Sequence, residues 1–218
     1  MTATAAILVA SGISGAASFA ATCVVTHGAR AAAVPRAPEP LPTEIVRMVL
    51  TLASAATGAM LQSRASAEPG GAIGSSDVVM GAFVLAGLSA AVIAGMRRGP
   101  AASERAFYLG IAPVVVVVFV SILGGEWFAL GAGLLCALPF ALAGSFFPRP
   151  STTDDAMYAG LAGAALSLFP AMAVLLIGCL TSLGVARLRA IPPGSIRFSP
   201  YVAGFAIVGL LVQIALIP

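Results

Sequence analysis

Eight acidic residues, one histidine and three cysteines are the groups in this sequence that could serve as acid, base, nucleophile or metal ligand. Two of the acids adjoin, Asp154 and Asp155, in S-T-T-D-D-A-M-Y-A-G-L-A-G-A-A-L-S-L-F-P. A pair of carboxylates held face to face can share a proton and activate water, one as base and one as acid. Chain neighbours at a helix start point in different directions, so the two do not make such a pair with each other. They stand where a short loop, F-F-P-R-P-S-T-T, meets an apolar segment. An ionisable group at that depth of a bilayer is costly and marks a candidate functional site. Asp is equally a good N-cap, and the second reading of Asp154 is as the cap of a helix beginning at Ala156. Both readings stay open. His27 has no neighbouring ligands to complete a metal set. Cys23, Cys136 and Cys179 are far apart and lie in or beside apolar runs, as small packing residues do. No metal, cofactor or redox role follows.

The elements that must position these groups are membrane helices. Of 218 residues 60% are hydrophobic and 9% charged, with a mean hydropathy of +1.05, where a soluble domain carries about a quarter charged residues. All eleven basic residues are arginine, and a net charge of +3 is too small and dispersed for a nucleic-acid footprint. The fold class is all-α, a polytopic bundle in a lipid bilayer. No Arg or Lys precedes the first apolar stretch, so residues 4–23 are expected to be a retained span and not a cleaved leader. Further spans are expected at 45–63, 78–96, 107–125 and 127–147, each near the ~20 residues that cross a bilayer. Ser54-x-x-x-Gly58 suits close helix packing. Gly124-Gly125-Glu126 reads as a tight turn with a solvated Glu126.

The apolar stretch from Ala156 to Ala186 is long for one crossing and short for two. Charge placement decides between them. Two crossings, 156–168 and 171–186 broken near Phe169-Pro170, give about eight membrane segments. They put Arg30, Arg36, Arg47, Arg97, Arg98, Arg105, Arg149, Arg187, Arg189 and Arg197 on one side, with Arg64 alone opposite. A single crossing moves three of them across and weakens the asymmetry. The positive-inside rule therefore favours cytoplasmic loops at 24–44, 97–106, 148–155 and 187–198. Residues 1–77 form two spans with a cytoplasmic and an external loop, and residues 78–218 a second membrane unit.

In that layout T-T-D-D-A-M-Y-A-G-L-A-G-A-A-L, followed by V-A-R-L-R and I-R-F-S-P-Y-V-A-G, resembles the type IV prepilin peptidases, intramembrane aspartic peptidases whose motif is G-x-G-D with a later P-F-G-P-[FY]. The resemblance covers roughly residues 78–217. It places Asp155 at the motif aspartate, with Thr152, Thr153 and Asp154 where G-x-G is expected and Ser199 at the glycine of F-G-P. Met157 stands where a basic residue commonly follows. The partner aspartate is expected at the end of the 78–96 span, before G-M-R-R-G-P, and there the chain reads Ala91, Val92, Ile93, Ala94, Gly95. Candidate substitutes are Asp154 and Glu104, the latter in the loop. Asp77 falls on the far face, ~30 Å away. The first cytoplasmic loop lacks the C-x-x-C pairs of long bacterial members, so neither zinc nor methyl transfer is expected.

The resemblance implies an integral protein of the bacterial inner membrane, a degenerate family member without the complete dyad, acting non-catalytically in a pilus or secretion system. Two alternatives stay open. One is an active leader peptidase acting on prepilin-like substrates with an unrecognised partner acid. The other is a small-solute channel or transporter, although the spans hold almost no mid-membrane ionisable residue to bind a charged solute.

Overall fold

In a computed structural model the described residues are 3–27, 41–67, 75–96, 100–146, 152–192 and 195–216, and among them the backbone forms eight α-helices and no strand. These are α1 (Ala3–His27), α2 (Leu41–Ala67), α3 (Ser75–Met96), α4 (Pro100–Gly124), α5 (Trp127–Phe146), α6 (Thr152–Leu166), α7 (Leu168–Leu188) and α8 (Ser199–Leu216). Helices are what such apolar runs must form, because hydrocarbon offers no partner for a free N–H or C=O. Six of them, α1, α2, α4, α5, α7 and α8, are long and apolar enough to cross a membrane. The apolar part of α3 is shorter, Met80–Met96, and α6 has 15 residues, a rise of ~22 Å. The chain is a helical membrane protein. Its outer surface agrees, for Leu123, Phe128, Phe146, Phe169 and Leu188 are all largely exposed. Facing water, such side chains would make an aggregation-prone surface. Facing lipid, they are the solvated face.

Side-chain contacts give the order of packing. Gly58 of α2 meets Ser14 and Ala10 of α1, and at the other end Arg47 Nη2 donates to Thr26 Oγ1 at 2.9 Å, so α1 and α2 run antiparallel. A Cβ at Gly58 would sit 2.7 Å from the Ala10 carbonyl oxygen, which is why the S-x-x-x-G pattern brings the two backbones together. Arg47 is buried, and its Nη1 also donates to both carboxylate oxygens of Glu44 at 2.9 Å. The Ser18 hydroxyl donates to Ser89 Oγ at 2.8 Å, joining α1 to α3. Leu61 lies on Gly81, and Gly87 on Pro113, so α3 runs back along α2 and α4 back along α3. Gly133 of α5 meets Gly160 and Ala164 of α6, while Cys136 meets Gly163. The helix ends that carry Arg47, Arg105, Arg187, Arg189 and Arg197 therefore gather at one end of the bundle.

Four expectations need correction. Helix α6 begins at Thr152, not Ala156, so Asp154 and Asp155 lie inside its first turn. The break that was expected at Phe169-Pro170 falls at Ser167, which adopts φ 64° and lets the chain reverse. Pro170 then sits in the first turn of α7, where the N–H it lacks would have had no helical partner. Helix α7 runs to Leu188 and is a full 21 residues. Residues 100–106, expected in a loop, already belong to α4, so Glu104 stands on a helix. The expected turn holds, with Gly125 at φ 70°, the Glu126 N–H on the Ser121 carbonyl at 2.8 Å, and Glu126 exposed. The side chains of His27, Arg64 and Asp77 lie outside the described residues.

Reversal at Ser167 makes α6 and α7 a hairpin. Near the turn, Leu166 and Val174 both touch Gly209 of α8; farther along α7, Gly178 meets Val202, and the Ser182 hydroxyl donates to the Arg197 carbonyl at 2.8 Å. Helix α8 thus runs parallel to α6 and antiparallel to α7.

Candidate functional site at the start of α6

Asp155 is 4% exposed, the only buried carboxylate among the described residues. Its Oδ1 accepts the backbone N–H of Phe198 at 3.0 Å and of Ser199 at 2.7 Å, and the Ser199 hydroxyl bonds the same carboxylate. These donors open α8. Every helix begins with N–H groups that have no partner one turn back, and here each can be traced. Phe198 and Ser199 give theirs to Asp155. Pro200 has none to give. The Tyr201 N–H turns to the Phe198 carbonyl at 3.1 Å, and Val202 begins the regular ladder on that carbonyl at 3.0 Å. Asp155 is therefore a helix cap supplied from a different helix, forty-four positions away in sequence. Asp155, one of two adjoining acids at the start of α6, thus caps α8, because its side of the first turn of α6 faces inward against that helix. A carboxylate there also meets the positive end of the α8 dipole.

Neighbouring contacts hold the cap in place. The Tyr158 hydroxyl, one turn beyond Asp155 and fully buried, donates to the Ala106 carbonyl at 2.7 Å and fastens α6 to α4. Met157 reaches Gly110 on the same helix. From the other side Gly95, at the end of α3, receives the ring of Pro200 so closely that a Cβ there would collide with it. Neither Tyr158 nor Gly95 stands out in the sequence as a positioning residue, although a lone glycine at the end of α3 opposite an S-P-Y segment is the signal that was there to read.

The structure thus brings together three segments singled out in the sequence, the end of α3, the start of α6 and the start of α8, and among the described residues there Asp155 is the one buried acid. Ala91, Ile93 and Ala94 are buried at the end of α3, the place at which the resemblance led a partner aspartate to be expected. Glu104 is exposed, and the hydrogen bonds of Asp155 go to Phe198 and Ser199. Residue 77 is at the other end of α3, eighteen positions before Gly95, a helical rise of ~27 Å. Asp154 is half-buried and follows a different direction from the α6 axis, ~100° round the helix from its neighbour. No cluster of three or more His, Cys, Asp or Glu that could hold a metal occurs among the described residues. Compared with family models, with curated proteins and with solved structures, the chain matches none.

Proposed function

We propose that this chain is a degenerate relative of the prepilin peptidases, an eight-segment inner-membrane protein in which the catalytic aspartate has become a structural cap, and that it acts without catalysis in a pilus or secretion assembly. The observation that carries the reading is the double acceptance by Asp155 Oδ1 of the Phe198 and Ser199 N–H groups beside an α3 terminus, residues 91–96, that carries no acid. An aspartic peptidase needs one carboxylate ionised to activate water and a second to hold and return the proton. Here the first carboxylate is occupied by the start of α8 and the second position has no acid. Acid and base assistance contribute about 10²–10⁴-fold each, so loss of one partner leaves turnover far below that of a working enzyme. The hairpin of α6 and α7 supports eight crossings over seven, since it returns the chain to the end of the bundle where the arginines collect.

The test is purified protein incubated with a prepilin that still carries its leader, alongside Asp155→Asn. The expected result is no cleavage by either. Cleavage by the unmodified chain that disappears in Asp155→Asn would refute the reading, and Glu104→Gln would then be the next variant to assay.

A further inference from the structure

The arginine-bearing end of the bundle holds a cleft of about 530 Å³, formed where the ends of α3 and α7 meet the segment leading into α8. Among the described residues its lining includes Gly95, Ser182, Arg189, Ser195, Arg197 and Tyr201, two of them arginines and three hydroxyl-bearing, with no acid. We infer that this cleft binds a phosphate-bearing anion, in the first place the headgroup of an acidic phospholipid.

Three features argue for it. The volume lies within the ~300–1,000 Å³ range of small-molecule sites. Neither Arg189 nor Arg197 has an acidic partner among the described residues, whereas Arg47, at the same end, is paired with Glu44. A guanidinium presents a planar fork of donors that matches phosphate oxygens two at a time. The segment carrying Arg197 is also fixed in advance. Its carbonyl is held by the Ser182 hydroxyl, and the two residues after it are held by Asp155. That rigidity lowers the ordering cost of binding. Position points to lipid as the source, because basic pockets between membrane helices on the arginine-rich side face the headgroup layer. The inference does not depend on the ancestry or activity proposed above, since a cleft of this composition would bind the same anion in a protein of any lineage.

The experiment uses the full chain in a neutral detergent, titrated with short-chain phosphatidylglycerol, with short-chain phosphatidylcholine and with inorganic phosphate, following Tm. A ligand that binds the folded state stabilises it by RT ln(1 + [L]/Kd), so Tm rises with ligand concentration and sooner for a tighter site. Phosphatidylglycerol should raise it and phosphatidylcholine should not. Each arginine near an anionic group contributes roughly fivefold in affinity, so Arg189→Gln and Arg197→Gln should each raise the lipid concentration needed for a given rise in Tm about fivefold, and the double variant about 25-fold. Arg187→Gln, a charge at the same end that does not line the cleft, should respond as the unmodified chain does. A rise produced equally by inorganic phosphate, with the same dependence on the two arginines, would support the site and identify the free anion as sufficient. If the double variant does not fold, the two single variants carry the test. The inference is overturned if phosphatidylcholine acts as phosphatidylglycerol does, if the unmodified chain responds to neither anion, or if Arg187→Gln loses as much as the cleft variants.

Discussion

Replacing Asp155 by alanine removes the acceptor of two backbone donors, the Phe198 and Ser199 N–H groups. A hydrogen bond to a charged acceptor contributes about 1.5–3 kcal/mol, so the Phe198 and Ser199 bonds, at 3.0 and 2.7 Å, give about 3–6 kcal/mol together. In a micelle the unfolded state keeps much of its helix and finds other partners for some of these groups. That brings the expected loss for Asp155→Ala to about 2–4 kcal/mol. Asp155→Asn retains a neutral oxygen acceptor and loses only the charge-assisted part, about 1–2 kcal/mol. Glu104→Ala, at an exposed position, should stay within ~0.5 kcal/mol. The assay is reversible unfolding in mixed micelles followed by circular dichroism, joined to amide hydrogen exchange at residues 198 and 199. Exchange there should accelerate sharply in Asp155→Ala, and less in Asp155→Asn. If Asp155→Ala unfolds within ~0.5 kcal/mol of the parent, or if those two amides keep their protection, the capping role is wrong.

Other consequences follow from the same geometry. Gly95→Val places carbon where the Pro200 ring already sits and should cost about 1–3 kcal/mol by overpacking, read in the same unfolding assay; an unchanged midpoint would mean that α3 and α8 do not touch there. Tyr158→Phe removes the bond to the Ala106 carbonyl while keeping the ring, and should cost about 1 kcal/mol. On the proposed eight-segment topology, a cysteine introduced as Pro193→Cys in a background lacking the native cysteines should resist a membrane-impermeant reagent added to intact cells and react once they are lysed; labelling from outside would return the region 156–186 to a single crossing.

Much of this protein was legible in its sequence, for a physical reason. Lipid leaves a chain of such low charge and high apolar content no choice but helices, so the class, the positions of α1, α3 and α5 within a few residues, and the turn at Gly125 all follow from local composition. The reversal between α6 and α7 was also legible, through the arginines that flank it, although its place at Ser167 was not, because one residue with positive φ can turn the chain where no proline or glycine marks it. Helix starts opened by polar residues, as at Thr152 and Pro100, are hidden from a hydropathy argument, since a polar first turn looks like loop. What only the tertiary structure decided is the partner of Asp155. A carboxylate at a helix start predicts a cap of its own helix, because the sequence shows only local donors; the donors it meets belong to Phe198 and Ser199, placed there by the α6–α7 hairpin, by Tyr158 on Ala106 and by Pro200 in the space left by Gly95. Long-range contacts of this kind depend on how helices face one another, and a periodic apolar sequence with small residues on every side carries almost no record of facing.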